Sequence, residues 1–198
     1  MRSILLWSIA SYFIGSLPTG YLVARLVKGV DIRTIGSGST GATNVKRLMG
    51  KGWAVFVAIV DMFKGALALL LVAHSGETSP LLMSLSAFAV VLGHNYPVWL
   101  GFKGGKGVAT TYGTLFFVWP YNSFAIVLMC GAIWYGIMTA TRYVSLASML
   151  SLLALPAFFW MLDAPLPFIC LSASLAMLAI FRHRANIARL IHGEESAV

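Results

Sequence analysis

Seven apolar stretches run along the chain, separated by short connections that hold most of the polar residues. They lie near residues 3–26, 52–73, 80–100, 108–118, 121–141, 146–162 and 166–181. A helix needs ~20 mostly apolar residues to cross a bilayer. The pattern therefore predicts an all-α, polytopic membrane protein built as a bundle of seven transmembrane helices. The fourth stretch is short for a full crossing, which favours a tilted helix, a locally thinned bilayer, or continuity with the preceding connection.

The composition supports a membrane protein. Hydrophobic residues make up 59% of the chain and charged residues 10%, whereas soluble domains carry about 25% charged residues. The first apolar stretch lacks a small-residue cleavage site and contains Pro18 and Gly20, so we expect it to stay in the protein as a span. The length leaves room for one bundle, and residues 1–198 are predicted to form a single integral-membrane domain.

The positive charge of the chain is distributed asymmetrically. The net charge is +8, and seven spans would place eleven of the fourteen Lys and Arg residues on one side, with only Arg2 on the other. By the positive-inside rule, the N-terminus is outside and the C-terminus cytoplasmic. We therefore interpret the charge as membrane sidedness and not as nucleic-acid binding. The eleven are Lys28, Arg33, Lys46, Arg47, Lys51, Lys103, Lys106, Arg142, Arg182, Arg184 and Arg189.

Several common catalytic patterns are missing from the sequence. No histidine is followed by Asp at +5, so the His-x₄-Asp acyltransferase motif is absent, and there is no Gly-x-Ser-x-Gly nucleophile elbow. Cys130 and Cys170 lie in apolar stretches away from His and carboxylates, which predicts small core residues without a disulfide or a metal. We expect no cofactor.

The connection Gly36–Arg47 is rich in glycines, hydroxyls and cations. It matches G-x-G-x-x-G, but no buried strand precedes it, so a dinucleotide fold is not indicated. Glycines still allow close backbone approach, and a short helix beginning near Thr43-Asn44 would aim N–H groups at an anion. The segment therefore predicts a phosphate site, the alternative being a flexible loop with a solvated basic edge.

A second glycine-rich connection spans Gly101–Gly107. It fails as a Walker A loop because Lys106 is followed by Gly107 instead of Ser or Thr. The glycines argue for a loop, and two lysines that only anchor a membrane protein would not need four glycines. We interpret the segment as phosphate-binding, with positive-inside anchoring as the alternative.

Other polar residues fit two interpretations each. His94, at the end of the third stretch, is a candidate general base or a polar anchor. Asp61 and Lys64 lie inside a span at i, i+3, so they form either a functional site or an internal ion pair. In the tail, His183, Asn186 and Arg189 share one face of a helix predicted to lie along the membrane.

Together these segments resemble the bacterial acyl-phosphate:glycerol-3-phosphate acyltransferases of the PlsY type over nearly the whole chain. The most specific matches are Gly-Phe-Lys-Gly-Gly-Lys-Gly-Val-Ala-Thr at 101–110 and the tail pattern His-x-x-Asn-Ile-x-Arg-Leu-x-x-Gly-x-Glu at 183–195. The segments at 15–21, 61–65 and 142–148 also match. The sequence departs from the family at Ser39-Thr40, where Asn-Pro or a similar pair is common; a hydroxyl can still bind phosphate.

The resemblance implies an enzyme of the bacterial inner membrane whose active site faces the cytoplasm. It would transfer a fatty acyl group from acyl phosphate to glycerol 3-phosphate, giving lysophosphatidic acid and phosphate, the first step of phospholipid synthesis. A substrate phosphate is proposed to act as the base in this family. The implied catalytic residues are Ser145, His183 and Asn186, the phosphate-binding residues Ser37, Ser39, Arg47, Lys106, Arg189, Gly104 and Gly105, and the supporting residues Asn44, His94, Lys103, Arg142 and Glu195.

Two other functions share a basic, glycine-rich membrane site. An anion transporter would move its substrate across a vesicle membrane without consuming it. A lipid-binding scaffold would neither transport the substrate nor convert it. The chemistry favours the enzyme. Acyl phosphate already has a good leaving group, and correct positioning of the two substrates can alone lower the activation free energy by ~7–11 kcal/mol. The absence of a base-and-orienter set around any serine predicts direct transfer without an acyl-enzyme.

Overall fold

The protein is a bundle of α-helices. The computed structural model describes residues 2–197, and that range contains helices, turns and loops without strands, which confirms the all-α prediction. The helices are α1 Arg2–Gly15, α2 Thr19–Lys28, α3 Ala42–Met49, α4 Lys51–His74, α5 Pro80–Asn95, α6 Val108–Val118, α7 Asn122–Thr141, α8 Val144–Leu153, α9 Leu155–Met161, α10 Leu166–Arg182 and α11 Arg184–Ile191.

Fewer helices are long enough to span a bilayer unaided than the sequence pattern predicts. Among the described residues, four helical segments are long and apolar enough: 51–74, 80–100, 122–141 and 144–161. A fifth is possible if α10 and α11, bent by 58° at a short break, are taken together. α6 remains a short apolar helix of 11 residues.

The predicted first span is wrong as a single helix. α1 ends at Gly15 and α2 begins at Thr19, with Pro18 between them. Proline has no N–H to donate and clashes with the preceding turn, so it breaks a continuous helix there. The carbonyl oxygen of Leu17, left without a helical partner, instead accepts a hydrogen bond from Lys64 Nζ at 2.9 Å.

Prolines also explain two smaller differences from the predicted boundaries. α5 ends at Asn95, not near residue 100, because the residue preceding Pro97 is driven out of helical geometry. A single-turn 3₁₀ helix at Val98–Leu100 follows. The stretch 146–162 is divided into α8 and α9, with Pro156 in the first turn of α9.

Glycines let α4 and α6 pack closely. A Cβ atom added to Gly113 would lie 1.9 Å from the carbonyl oxygen of Met62, and one added to Gly65 would lie 2.3 Å from that of Thr110. The apolar core extends from this contact through α5, α8 and α10. Cys130 belongs to this core as predicted, but Cys170 is exposed on the outside of the bundle.

Candidate active site

Seven segments distant in sequence converge on one cavity of about 410 Å³. One part of its wall is polar and the other apolar, as an amphipathic ligand would require. The polar part includes Ser37, Ser39, Arg47, Lys106, Ser145, His183, Asn186 and Glu195. The apolar part includes Ala58, Met62, Ala109, Tyr112, Gly131 and Trp134, from α4, α6 and α7.

Asn44 organises the first glycine-rich loop. Its buried amide nitrogen donates to the carbonyl oxygens of Ile32, Ile35 and Ser39, at 3.1, 2.9 and 2.9 Å. Its side-chain oxygen accepts from the backbone N–H of Ser37 at 3.1 Å. With all these groups occupied, Asn44 shapes the loop and leaves the serine hydroxyls to face the cavity.

Two helices begin at the cavity. α3 starts at Ala42, near the predicted position, and its first residues line the cavity together with Arg47 one turn later. α6 starts at Val108 after Gly107, whose φ of 82° favours glycine. The first-turn N–H groups of a helix lack intrahelical partners and attract anions. Both loops therefore supply backbone donors through the helices that follow them.

Gly104 and Gly105, which the resemblance places among the phosphate-binding residues, have N–H groups that are already occupied, although Gly104 lines the smaller cavity beside the main one. The N–H of Gly104 donates to the carbonyl oxygen of Asn95 at 3.2 Å, and that of Gly105 to the carbonyl oxygen of His94 at 3.0 Å. A Cβ atom on Gly105 would lie 2.0 Å from His94 Nε2. These glycines are needed for close packing against the end of α5.

Arg182 holds the other side of the same loop, a contact that the sequence did not indicate. Its guanidinium donates to the carbonyl oxygen of Gly105 from Nε at 3.0 Å and from Nη2 at 2.8 Å, and from Nη2 to that of Gly104 at 3.2 Å. It also lies 4.8 Å from the ring centroid of Tyr96, within cation–π range. The loop before Lys106 is thereby fixed from both sides.

Glu195 connects three of the predicted site residues. Its carboxylate accepts hydrogen bonds from Ser145 Oγ at 2.7 Å, Asn186 Nδ2 at 2.6 Å and Arg189 Nε at 2.7 Å. Burial raises the pKa of this carboxyl, but the three hydrogen bonds outweigh burial and leave it below the ordinary value. Glu195 is thus an anion that orients Ser145 and Asn186.

Lys106 joins the second loop to the tail, where Nζ donates to Asn186 Oδ1. Burial lowers the pKa of Lys106 to about 8; nearby Arg189 and Arg47 act in the same direction, and Glu195 opposes them. Lys106 is consequently a cation at neutral pH that lies close to losing its proton.

His183 contributes a neutral imidazole. Its Nδ1 lies 2.8 Å from the carbonyl oxygen of Ala179, which assigns the proton to Nδ1 and leaves Nε2 as an acceptor. Burial, reinforced by Lys106, lowers the pKa of His183 to about 4. His183 lines the cavity and can accept a hydrogen bond from a substrate hydroxyl.

The charges inside α4 form a buried network beside the cavity. Lys64 Nζ donates to Asp61 Oδ1 at 2.8 Å, and His94 Nδ1 lies 3.6 Å from the same oxygen. Asp61 and His94 also line the cavity, while Lys64 reaches the Leu17 carbonyl between α1 and α2. The ion pair therefore joins elements of the bundle, and its Asp61 faces the ligand space together with the neighbouring His94.

Two predicted supporting residues lie away from this cavity. Lys103 and Arg142 are exposed and line neither the main cavity nor the smaller one of about 170 Å³ beside it. Arg142 terminates α7 in a left-handed conformation. The smaller cavity is lined by cations and hydroxyls from both loops and the tail, among them Ser37, Ser39, Lys106, Arg182, Arg184 and Arg189.

Known proteins resemble this chain over its full length. Residues 5–193 match the family model "Glycerol-3-phosphate acyltransferase". The chain is 43% identical to the glycerol-3-phosphate acyltransferase of Synechococcus sp. (strain JA-3-3Ab), over 99% of this chain and 94% of that protein. It is 41% identical to that of Aquifex aeolicus, over 94% and 95%.

Solved structures agree. The crystal structure of PlsY, an integral membrane glycerol 3-phosphate acyltransferase, in its glycerol 3-phosphate form matches with a TM-score of 0.92 and 40% identity, over 99% of this chain and 96% of that one. Its lysophosphatidic acid form matches with a TM-score of 0.88. This chain therefore belongs to the glycerol-3-phosphate acyltransferase family of integral membrane enzymes.

Proposed function

We propose that the protein transfers a fatty acyl group from acyl phosphate to glycerol 3-phosphate, and releases lysophosphatidic acid and inorganic phosphate. The observation that carries this proposal is the two-part cavity. Its polar part offers Arg47, Lys106 and two helix N-termini to phosphate groups, and its apolar part lies between α4, α6 and α7. A ligand with a phosphate at one end and an acyl chain at the other fits both parts.

Acyl phosphate suits this site as the donor. Its phosphate is bound by cations and N–H groups, and its acyl chain by an apolar groove. Because it is a mixed anhydride, its phosphate is already a good leaving group. A related protein is solved in forms named for glycerol 3-phosphate and lysophosphatidic acid, which are the acceptor and product of the proposed reaction. The site has to hold both phosphates at once and place a hydroxyl at the carbonyl carbon.

The proposed roles follow from the contacts. Arg47 and Lys106 bind phosphate together with the hydroxyls of Ser37 and Ser39, all of which line the main cavity. Arg189 lines the smaller cavity, where it is available to an anion while it holds Glu195. Ser145 and Asn186, oriented by Glu195, and His183 bind the acceptor.

The reaction is a direct transfer. The acceptor hydroxyl oxygen attacks the carbonyl carbon of acyl phosphate, a C–O bond forms, and the C–O bond to phosphate breaks. The departing phosphate takes the proton of the hydroxyl, so no protein group has to change its protonation state. Lys106 and Arg47 stabilise the negative charge that develops during this step. Ser145 Oγ donates a hydrogen bond to Glu195. In the proposed reaction Ser145 binds the substrate and does not act as a nucleophile.

The proposed location is the bacterial inner membrane, with seven crossings, an external N-terminus, and the site at the cytoplasmic face. The one-sided distribution of Lys and Arg supports this orientation. To complete seven crossings, three more must be added to the four long helical segments: α1 with α2, the short α6, and α10 with α11. The chain then acts as a single catalytic domain, for which no cofactor or nucleic acid is needed.

A reconstituted assay tests the proposal. Purified protein is incubated with glycerol 3-phosphate and hexadecanoyl phosphate, and phosphate release and lysophosphatidic acid are both measured; acyl-CoA replaces acyl phosphate in a parallel arm. We expect equal amounts of both products from acyl phosphate and none from acyl-CoA. Transport into vesicles without product would favour the anion transporter, and the absence of both would favour the scaffold.

The direct step has its own test. Enzyme is incubated with acyl-labelled acyl phosphate alone and then denatured, and initial rates are measured with both substrates varied. We expect no label on the protein and a sequential rate pattern. A competent acyl label on Ser145 or Ser39, or ping-pong kinetics, would contradict direct transfer.

A further inference from the structure

The apolar part of the main cavity reaches a glycine in the middle of α7. Gly131 and Trp134, one helical turn apart, both line the cavity. A Cβ atom added to Gly131 would meet no heavy atom within 4 Å. α7 is also the least covered of the long apolar helices, with 11% of its span buried. At Gly131 the cavity wall is therefore bare backbone on a helix that faces lipid.

Gly131 lies well inside α7, away from the helix end that leads to Ser145. α7 ends at Thr141, three residues before α8 begins and four before Ser145. Gly131 comes ten residues before that end, which is about 15 Å along the helix axis. The indole of Trp134 lies between and donates from Nε1 to Ser148 Oγ at 3.2 Å. A chain attached at the polar end passes the fixed Trp134 ring before it reaches Gly131.

Helix packing does not explain this glycine. Gly65 and Gly113 are needed because backbone carbonyls lie within 2.3 Å of where their Cβ atoms would be. Gly131 has no such neighbour, and its φ is not positive. Its missing side chain instead leaves space in the cavity wall.

We propose that Gly131 determines the acyl-chain specificity of the enzyme, by leaving an opening through which the distal part of a long chain passes from the groove toward the lipid. This inference rests on the proposed function, because it assigns the groove to the acyl chain of donor and product. A larger side chain at position 131 would close the opening. Chains too short to reach it would bind as before, while longer chains would have to bend or withdraw.

The test is a chain-length profile for Gly131→Ala and Gly131→Leu. The matched control is Gly136→Leu, because Gly136 is on the same helix, is exposed, has an equally open Cβ position, and does not line the cavity. kcat/KM is measured with octanoyl, dodecanoyl and hexadecanoyl phosphate at saturating glycerol 3-phosphate. For Gly131→Leu we expect a loss of about tenfold or more with hexadecanoyl phosphate and less than about twofold with octanoyl phosphate. Gly136→Leu should keep the wild-type profile.

The possible outcomes separate this inference from the proposed function. A wild-type enzyme inactive with every acyl phosphate would overturn the function. An active Gly131→Leu variant with an unchanged profile, or the same shift in Gly136→Leu, would overturn only the role of Gly131.

If Gly131→Leu fails to fold, Gly131→Cys in a background without Cys130 and Cys170 provides a second test. Hexadecanoyl glycerol phosphate should slow its alkylation by N-ethylmaleimide and the octanoyl analogue should not; equal protection would refute the proposal.

Discussion

At the residue scale, two cations, Lys106 and Arg47, face the main cavity. Lys106 links a glycine loop to Asn186, and Asn186 links onward to Glu195. Arg47 faces the same cavity from α3 without a protein acceptor for its guanidinium among the described residues. Both side chains are therefore available to charge that arrives with the substrates.

We expect Lys106→Ala and Arg47→Ala each to lower kcat/KM by at least about tenfold, since a hydrogen bond to a charged group contributes ~1.5–3 kcal/mol. Lys28→Ala is the matched control, because Lys28 is exposed and lines neither cavity. Steady-state kinetics on folded, purified variants provide the measurement. Equal and mild effects in all three variants would mean that the loops anchor the protein electrostatically and form no site.

The depressed pKa of Lys106 predicts a pH dependence. The phosphate-binding role proposed for Lys106 requires the protonated amine, and burial lowers the pKa of Lys106 to about 8. kcat/KM should therefore fall as the pH rises through about 8 and stay level toward neutrality, where His183 is already uncharged. Lys106→Arg keeps its charge and should lose this alkaline limb. An identical limb in Lys106→Arg would assign the ionisation to another group.

At the scale of elements, the end of α10 and the second glycine loop are held together. Arg182 makes three hydrogen bonds to the carbonyl oxygens of Gly104 and Gly105, directly before Lys106. His94 and Asn95 take the opposite N–H groups. The position of the Lys106 ammonium thus depends on the ends of α5 and α10.

We expect Arg182→Gln to reduce kcat more than it raises KM, because the loop would shift Lys106 without removing it. Arg142→Gln is the matched control, since Arg142 is exposed and lines neither cavity. In a Gly105→Ala background, where contact with His94 already displaces the loop, Arg182→Gln should have little further effect. Fully additive losses would show that Arg182 acts elsewhere, on a ligand of the smaller cavity.

The buried ion pair connects elements in a different way. Asp61→Asn leaves Lys64 charged and unpaired inside the bundle, which costs ~3–5 kcal/mol for buried pairs. We expect a large fall in Tm for Asp61→Asn, and a smaller one for Asp61→Asn combined with Lys64→Met, because the double variant buries no unpaired Lys64 charge and the Leu17 carbonyl keeps its hydrogen bond from the Thr19 N–H. Thermal unfolding in one detergent compares them. A double variant less stable than Asp61→Asn would refute the unpaired-charge explanation.

At the scale of the whole molecule, the charge distribution predicts orientation. Lys46→Cys, Lys103→Cys and Glu194→Cys, in a background without Cys130 and Cys170, should resist an impermeant thiol reagent in intact cells and react after lysis. All three positions are exposed. Glu77→Cys, in the connection without Lys or Arg, should react from outside. Labelling of any of the first three in intact cells would overturn the orientation.

Hydropathy predicted the bundle because each span must be apolar along its length, whatever its neighbours are. It did not predict the break after Gly15, although Pro18 was visible, since an apolar stretch averages over one kink. The glycine loops were located correctly, but the occupied N–H groups of Gly104 and Gly105 depend on the end of α5. Likewise, the residues next to Arg182 and Gly131 in the sequence do not indicate a role for either one. What surrounds each of them is determined by the fold.

The assembly of the site from distant segments has a practical consequence. Lys106 and Asn186 are 80 residues apart in sequence, and Ser145 and Glu195 are 50 apart. A detergent that loosens the contacts between helices separates these partners, while the hydrogen bonds within each helix survive. Turnover should therefore disappear during solubilisation well before circular dichroism registers any loss of helix. For purification of this enzyme, activity is the stricter criterion for choosing a detergent.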